Sequence, residues 1–256
     1  MIRFAVPELE SALVNVCNTD GVYHAKIYSQ YQTYGTQSGI VDFWLIFSGE
    51  KPIGAISGSG GRFTLAAERC EDVSELAAFL CAAGAKTVQA ERHLLDGLGR
   101  LQESGLILRA DTAPKQDAGV KSADSLADVW ELLCASFEGF AEKIRYDAWY
   151  AEFSHKLRHA LAECYTLSVD GRLASASSIL FKNTKCAVLA AVATDPDFRG
   201  QGLGKRTVTQ ATASAFAQGL NPVVLIRDSG LTAFYAGCGY RPVGEWGQAE
   251  VQPSEN

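Results

Sequence analysis

Apolar side chains recur along this chain at intervals of two or of three to four residues, and the changes of interval mark out most of its elements. Over residues 1–20, Phe4, Val6, Leu9, Leu13 and Val16 form a partial helical stripe. Four tyrosines follow, at 23, 28, 31 and 34, in a segment that reads as a helix or as a wall of aromatic rings. Residues 42–47 and 52–57 are apolar runs around Ser48-Gly49-Glu50-Lys51, the signature of a hairpin. A third strand is expected at 62–66. Asp72 or Ser74 then caps a helix running to about Ala83, with Val73, Leu76, Ala77 and Leu80 on one face and Gly84 as its stop. Residues 86–90 predict a strand, 94–103 a helix weakened by Gly97 and Gly99, and 105–109 a further strand.

Residues 111–121 (DTAPKQDAGVK) are polar and aperiodic, which marks a linker. Beyond it, 125–136 is helical, with Leu126, Val129, Trp130 and Leu133 as its buried stripe. The aromatic, charged stretch 137–147 is a loop or short helix, and 148–162 is a second helix. Runs at 164–169 and 173–180 flank Asp170-Gly171, a strong two-residue hairpin signal. Residues 186–193 are continuously apolar, as suits a central strand covered on both faces. A helix over 200–218, a strand at 223–227, a short helix at 231–237 and a closing strand at 240–243 complete the pattern. FSGEKPIGAIS (47–57) and LSVDGRLASAS (167–177) share a hairpin pattern, and the order helix, hairpin, strand, helix, strand, helix, strand occurs twice. The expected fold is therefore α/β (α+β), a tandem repeat of two halves at 1–110 and 122–256 joined by 111–121.

Composition narrows the class. With 23 basic against 29 acidic residues, the net charge of −6 disfavours a nucleic-acid partner, which needs a basic face. The longest apolar run, residues 186–193, is far short of a membrane span, and Glu8 and Glu10 interrupt any signal-peptide core. Seven scattered cysteines without a CxxC read as reduced thiols of a cytoplasmic protein. His155 and His159 have a metal-compatible i, i+4 spacing, but no third ligand accompanies them; a solvated helix face is the simpler reading, and no metal is expected.

The chemistry concentrates in VATDPDFRGQGLGK, residues 192–205. An apolar strand ends, a short turn follows, and Arg199-x-x-Gly202-x-Gly204 opens a helix. Unpaired amides and the helix dipole favour an anion there, and glycines let a diphosphate approach the backbone. The pattern is neither a GxxxxGK[ST] loop nor a dinucleotide fingerprint. After an intervening strand comes Leu231-Thr-Ala-Phe-Tyr-Ala-Gly-Cys-Gly-Tyr240.

Through these two motifs, residues 121–247 resemble the GNAT acetyltransferase superfamily. The N-terminal half has the order of elements without the glycine turn: Cys70 to Glu75 (CEDVSE) stands in its place, and Leu101 where Tyr235 would repeat. The resemblance implies two GNAT-like halves, each a mixed, mostly antiparallel sheet flanked by helices, with one working site in the C-terminal half. It implies acetyl-CoA in a cleft where strands 186–193 and 223–227 splay. Backbone from Val192, Ala193 and Thr194 would pair with the pantetheine arm. Amides of Gly200, Gln201, Gly202, Leu203, Gly204 and Lys205 would hold the pyrophosphate. Arg199 either contacts phosphate or fixes the turn. Tyr235 matches the acid that protonates the departing thiolate. For the base, Glu138, Asp147 and a water relay stay open. Asp228 is expected to cap the helix near Leu231, with a cofactor contact as the other role. Cys238 reads as a buried thiol. The implied function is transfer of an acetyl group to the amine of a small molecule or peptide by direct attack in a ternary complex. A CoA-binding regulatory protein without turnover, an interaction module, and another acyl donor or acceptor are the alternatives. An isolated 115–256 fragment is expected to retain CoA binding.

Overall fold

A computed structural model describes residues 1–251. The first half runs β1 (Ile2–Phe4), a 3₁₀ turn, α1 (Glu10–Cys17), α2 (Val22–Tyr34), β2 (Asp42–Ser48), β3 (Lys51–Ser59), β4 (Arg62–Ala67), α3 (Val73–Ala82), β5 (Thr87–Glu91), a second 3₁₀ turn (Arg92–Leu94) and β6 (Arg100–Ala110). The second half runs β7 (Lys121–Ser122), α4 (Leu126–Ser136), α5 (Phe140–Lys143), α6 (Tyr146–Arg158), β8 (Glu163–Val169), β9 (Arg172–Lys182) and β10 (Cys186–Thr194). A 3₁₀ turn (Pro196–Phe198), α7 (Leu203–Ala217), β11 (Asn221–Ile226), another 3₁₀ turn (Ser229–Leu231), α8 (Thr232–Ala236) and β12 (Tyr240–Glu250) complete it.

Local chemistry accounts for many of these boundaries. Asp72 accepts the Glu75 amide at 2.8 Å and so caps α3; Ser125 accepts the Asp128 amide at 3.2 Å and caps α4. The hairpin turns fall at Gly49 and at Asp170-Gly171, all three with positive φ.

The halves do not form separate sheets. Among the described residues all twelve strands join one sheet, in the order β1-β2-β3-β4-β5-β12-β6-β11-β10-β9-β8-β7. Only β4/β5 and β10/β11 are parallel neighbours. The final strand of each half is exchanged: β12 lies against β5 and β6, and β6 lies between β12 and β11. Side chains alternate between the faces of β10. Val188 joins Ile27, Phe43 and Val223 under α1 and α2, while Leu189 joins Val208, Ala211 and Val224 under α7. Each of the Val, Leu, Ile and Phe side chains among these contributes about 1.5–3 kcal/mol on full burial.

Two expectations are corrected. Residues 94–103 are not a helix: a 3₁₀ turn ends at Leu94 and β6 begins at Arg100. Gly97 and Gly99 have φ of +81° and +155°, and a Cβ on Gly99 would stand 2.0 Å from the Glu250 carbonyl oxygen, so the chain turns tightly there against β12. Leu94, Leu95 and Leu98, whose spacing imitates a helix, are core residues of that turn. The closing strand is also longer than 240–243. It runs to Glu250 because β5 and β6 pair with it on both sides.

Candidate active-site cleft

The cleft starts from an irregularity in β10. Ala190 pairs with Ser178 of β9, but the next pair is Ala193 with Ala176, so β10 carries one extra residue. Ala191 takes a left-handed φ of +51° at this bulge. The parallel pairing of β10 with β11 stops at Leu189 and Val224, whereas β11 stays paired to β6 as far as Ile226. The two parallel strands therefore part beyond that point. A cleft of about 700 Å³ opens there, floored by Val192, Ala193 and Thr194 and walled by the start of α7 on one side and by Phe234 and Tyr235 on the other.

The turn into α7 is built to leave amides free. Gly200 and Gly202 have φ of +78° and +77°, and a Cβ on either would meet nothing, so that side is open. The amides of Leu203, Gly204 and Lys205 lie in the first helical turn, where no intrahelical acceptor exists. Gly204 has a different requirement: a Cβ there would stand 2.8 Å from Thr194 Oγ1. Beneath it, Ser175 Oγ lies 3.1 Å from Thr207 Oγ1 and 3.2 Å from Thr194 Oγ1, and it donates to the Ala193 carbonyl at 2.9 Å. These hydroxyls join β9, β10 and α7 under the cleft. Asp195, 6% exposed, caps the following 3₁₀ turn through the Asp197 amide and accepts from Arg172 at 2.6 Å. Sequence reasoning missed Ser175 and Asp195; the Asp-Pro-Asp of the turn was a usable signal for the second.

Among the expected site residues, Val192, Ala193, Thr194, Arg199, Gly200, Gly202, Leu203, Gly204, Lys205 and Tyr235 all line the cleft. Gln201 is exposed and outside the lining. Arg199 donates to the Thr194 carbonyl at 3.2 Å and to the Ser136 carbonyl at 3.3 Å, so its guanidinium fixes the turn against β10 and α4. Glu138 is exposed beyond the rim formed by Ser136 and Phe137, and Asp147 faces Arg145 at 2.6 Å. Neither acid lines the cleft, and no Asp, Glu or His does among the described residues. Asp228 caps the 3₁₀ turn before α8, accepting the Gly230 amide at 2.8 Å.

Tyr235 is 5% exposed, edge-on to Phe234 and Tyr240 at ring distances of 5.0 and 5.7 Å. Burial, aided by Cys238, pushes its hydroxyl up to about 12, so it holds its proton throughout the physiological range. Burial likewise raises the Cys238 thiol to about 11, although Lys205 opposes the rise, and leaves it a poor nucleophile. Cys17, Cys70, Cys134, Cys164, Cys186 and Cys238 are free thiols. His155 and His159 stack at a ring distance of 4.4 Å; among the described residues no three His, Cys, Asp or Glu side chains gather as a metal site.

The first half offers no matching turn. Asp72 occupies the Glu75 amide at the start of α3, and Leu76, Leu80, Leu94, Leu95 and Leu98 pack with Ala67, Val88 and Ala90 beside β4 and β5.

Residues 126–240 match the model of the Acetyltransferase (GNAT) family. No curated protein sequence matches the chain significantly. Solved structures do. A GNAT-family acetyltransferase from Colwellia psychrerythraea superposes with a TM-score of 0.64 at 15% identity, covering 98% of this chain and 100% of that one. A tandem GNAT protein from the clavulanic acid biosynthesis pathway gives 0.62 at 13%, with both chains covered completely. A GCN5-related N-acetyltransferase from Sphaerobacter thermophilus gives 0.63 at 13%, covering 99% and 96%. Residues 126–240 thus match the model of the Acetyltransferase (GNAT) family, and along nearly the whole chain the fold is the one these solved structures have.

Proposed function

We propose that the protein is an acetyl-CoA-dependent N-acetyltransferase of two GNAT-like halves, 1–110 and 122–256, with its one working site in the second. The observation that carries this reading is the coincidence of two features: a strand pair that parts beside a bulge, and a glycine turn whose free amides face the same opening. The donor set fits the thioester substrate. First-turn amides and Lys205 suit a diphosphate. Val192, Ala193 and Thr194 present strand backbone to an extended amide-bearing arm, and Phe234 supplies an apolar wall.

In this reading the neutral amine attacks the thioester carbonyl carbon and the C–S bond breaks. A backbone N–H near Val192 or Ala193 donates to the oxyanion. The thiolate takes the proton held at the Tyr235 hydroxyl, and the proton that the acetylated amine releases to water returns to the Tyr235 phenolate. With no carboxylate or imidazole lining the cleft, the acceptor enters already deprotonated. The expected pH profile of kcat/KM therefore rises through the acceptor's own pKa; a limb between pH 5 and 7 that stays fixed while the acceptor is changed would show a side-chain base instead. The acceptor is a small-molecule or peptide amine, and free thiols fit a reducing, cytoplasmic setting.

The same missing base favours a second reading, a CoA-binding regulator without turnover. Calorimetry with CoA tests the site, and release of free CoA from acetyl-CoA across an amine panel tests the reaction. Heat with turnover supports the enzyme, heat without turnover the regulator, and no heat from folded protein removes both.

A further inference from the structure

A second cavity, of about 400 Å³, lies between α2 and the sheet and shares no lining residue with the cleft. Both halves build it: Lys26, Gln30 and Tyr34 from α2, Arg62 from β4, Gln89 from β5, and Glu152, Phe181 and Gln248 from the second half. Lys26 Nζ donates to Gln89 Oε1 at 2.8 Å, and Gln89 Nε2 passes the bond to Gln248 Oε1 at 2.9 Å. The half-buried ammonium thus ends on a neutral amide. Among the described residues, no carboxylate forms an ion pair with Lys26 or with Arg62. The one acid of the lining, Glu152, is engaged at 2.5 Å by Lys156, whose side chain is fully buried over the Phe181 ring. Lys26, Arg62 and Lys156 against Glu152 leave two uncompensated positive charges, inside a chain whose net charge is −6.

A cation held out of water without a counter-ion is costly, and an anion that meets it there recovers that cost. We infer that this seam cavity is a binding site for a small organic anion, a carboxylate or a phosphate ester, held between Lys26 and Arg62 with its organic part against Phe63 and Phe181. Free amide groups of Gln30 and Gln248 offer further donors. Burial, with Arg62 and Lys156 nearby, lowers the Lys26 ammonium to about 8. The charged groups around it are Arg62 from β4 and Lys156 and Glu152 from α6, and the Tyr34 phenol on its own helix stays protonated because burial and Glu152 raise its pKa. A ligand that needs the charged ammonium accordingly binds less tightly as pH rises through about 8.

Calorimetry on the full chain at constant ionic strength, with benzoate and phenyl phosphate as probes, tests this. Saturable heat is expected from at least one probe, with the preferred probe deciding between carboxylate and phosphate. Arg62→Gln, at an exposed position, should weaken it at least tenfold while CoA affinity stays unchanged. Gln89→Glu should abolish probe binding and raise Tm, because it turns the amide oxygen that Lys26 meets at 2.8 Å into a carboxylate counter-ion. The assignment is overturned if neither probe gives saturable heat, if Arg62→Gln binds like wild type, or if CoA competes with the probe.

Discussion

Tyr235 sits in the cleft wall with its proton secured by burial, the state an acid needs. Tyr235→Phe is expected to lower kcat by roughly 10- to 10⁴-fold and to leave CoA affinity near wild type; steady-state kinetics beside calorimetry separates the two. Gly204→Val pushes a side chain at Thr194 and the Ser175 hydroxyl group beneath it, so it should weaken CoA binding as α7 moves away from β10. Glu163 illustrates how a single carboxylate secures the sheet beside this helix. Burial pushes its pKa up, but bonds from Tyr165 and Ser214 at 2.7 Å, Lys182 at 2.9 Å and Gln218 at 2.8 Å outweigh that and hold it at about 2. Its folded pKa lies below the unfolded value, so its contribution is full above about pH 4.5 and is lost as pH falls through about 2. From the shift, that contribution is roughly 3 kcal/mol. Glu163→Gln should lower Tm at neutral pH and flatten the dependence of Tm on pH between 5 and 2.

Elements that follow from neighbouring residues were legible in the sequence. The Asp72 cap, the two hairpin turns and the amphipathic α4 fall where the pattern puts them, because each rests on contacts a few residues apart. The glycine turn before α7 and the residues of the following short helix were legible for the same reason. What escaped depends on distant chain. Leu94, Leu95 and Leu98 keep helical spacing, yet Gly99 backs onto Glu250, a contact that no local window contains. Gly105 looks like a weak point in a strand, but a Cβ there would lie 2.0 Å from the Ile226 carbonyl oxygen, which also accepts the Trp246 indole N–H at 3.0 Å. The bulge at Ala191, which opens the cleft, leaves no mark in an unbroken apolar run. Strand exchange also changes the expectation for a 115–256 fragment. It would lack β6, leaving β11 with an open edge and β12 without either neighbour. Such a fragment should aggregate and lose CoA binding; a monomeric fragment that binds CoA in size-exclusion and calorimetric runs would contradict this.

At the scale of the whole molecule, one sheet runs through both halves, and residues 111–121, expected as a linker, are tied down. Asp117 pairs with Arg206 at 2.7 and 2.9 Å, a bond that with the Gly119 amide lowers its pKa to about 2, and its own amide donates to Gln210 at 2.9 Å. Heating should therefore give one calorimetric transition, with calorimetric and van't Hoff enthalpies equal; two resolved peaks would show that the halves melt independently. The interleaving of β12 between β5 and β6 also bears on how the chain is made. Synthesis runs from N- to C-terminus, so β5 and β6 leave the ribosome with the gap between them still vacant. The strand that fills it, β12, is the last one among the described residues. Completion of the sheet must wait until β12 has been made, and until then two unprotected strand edges are offered to whatever else is in the cell.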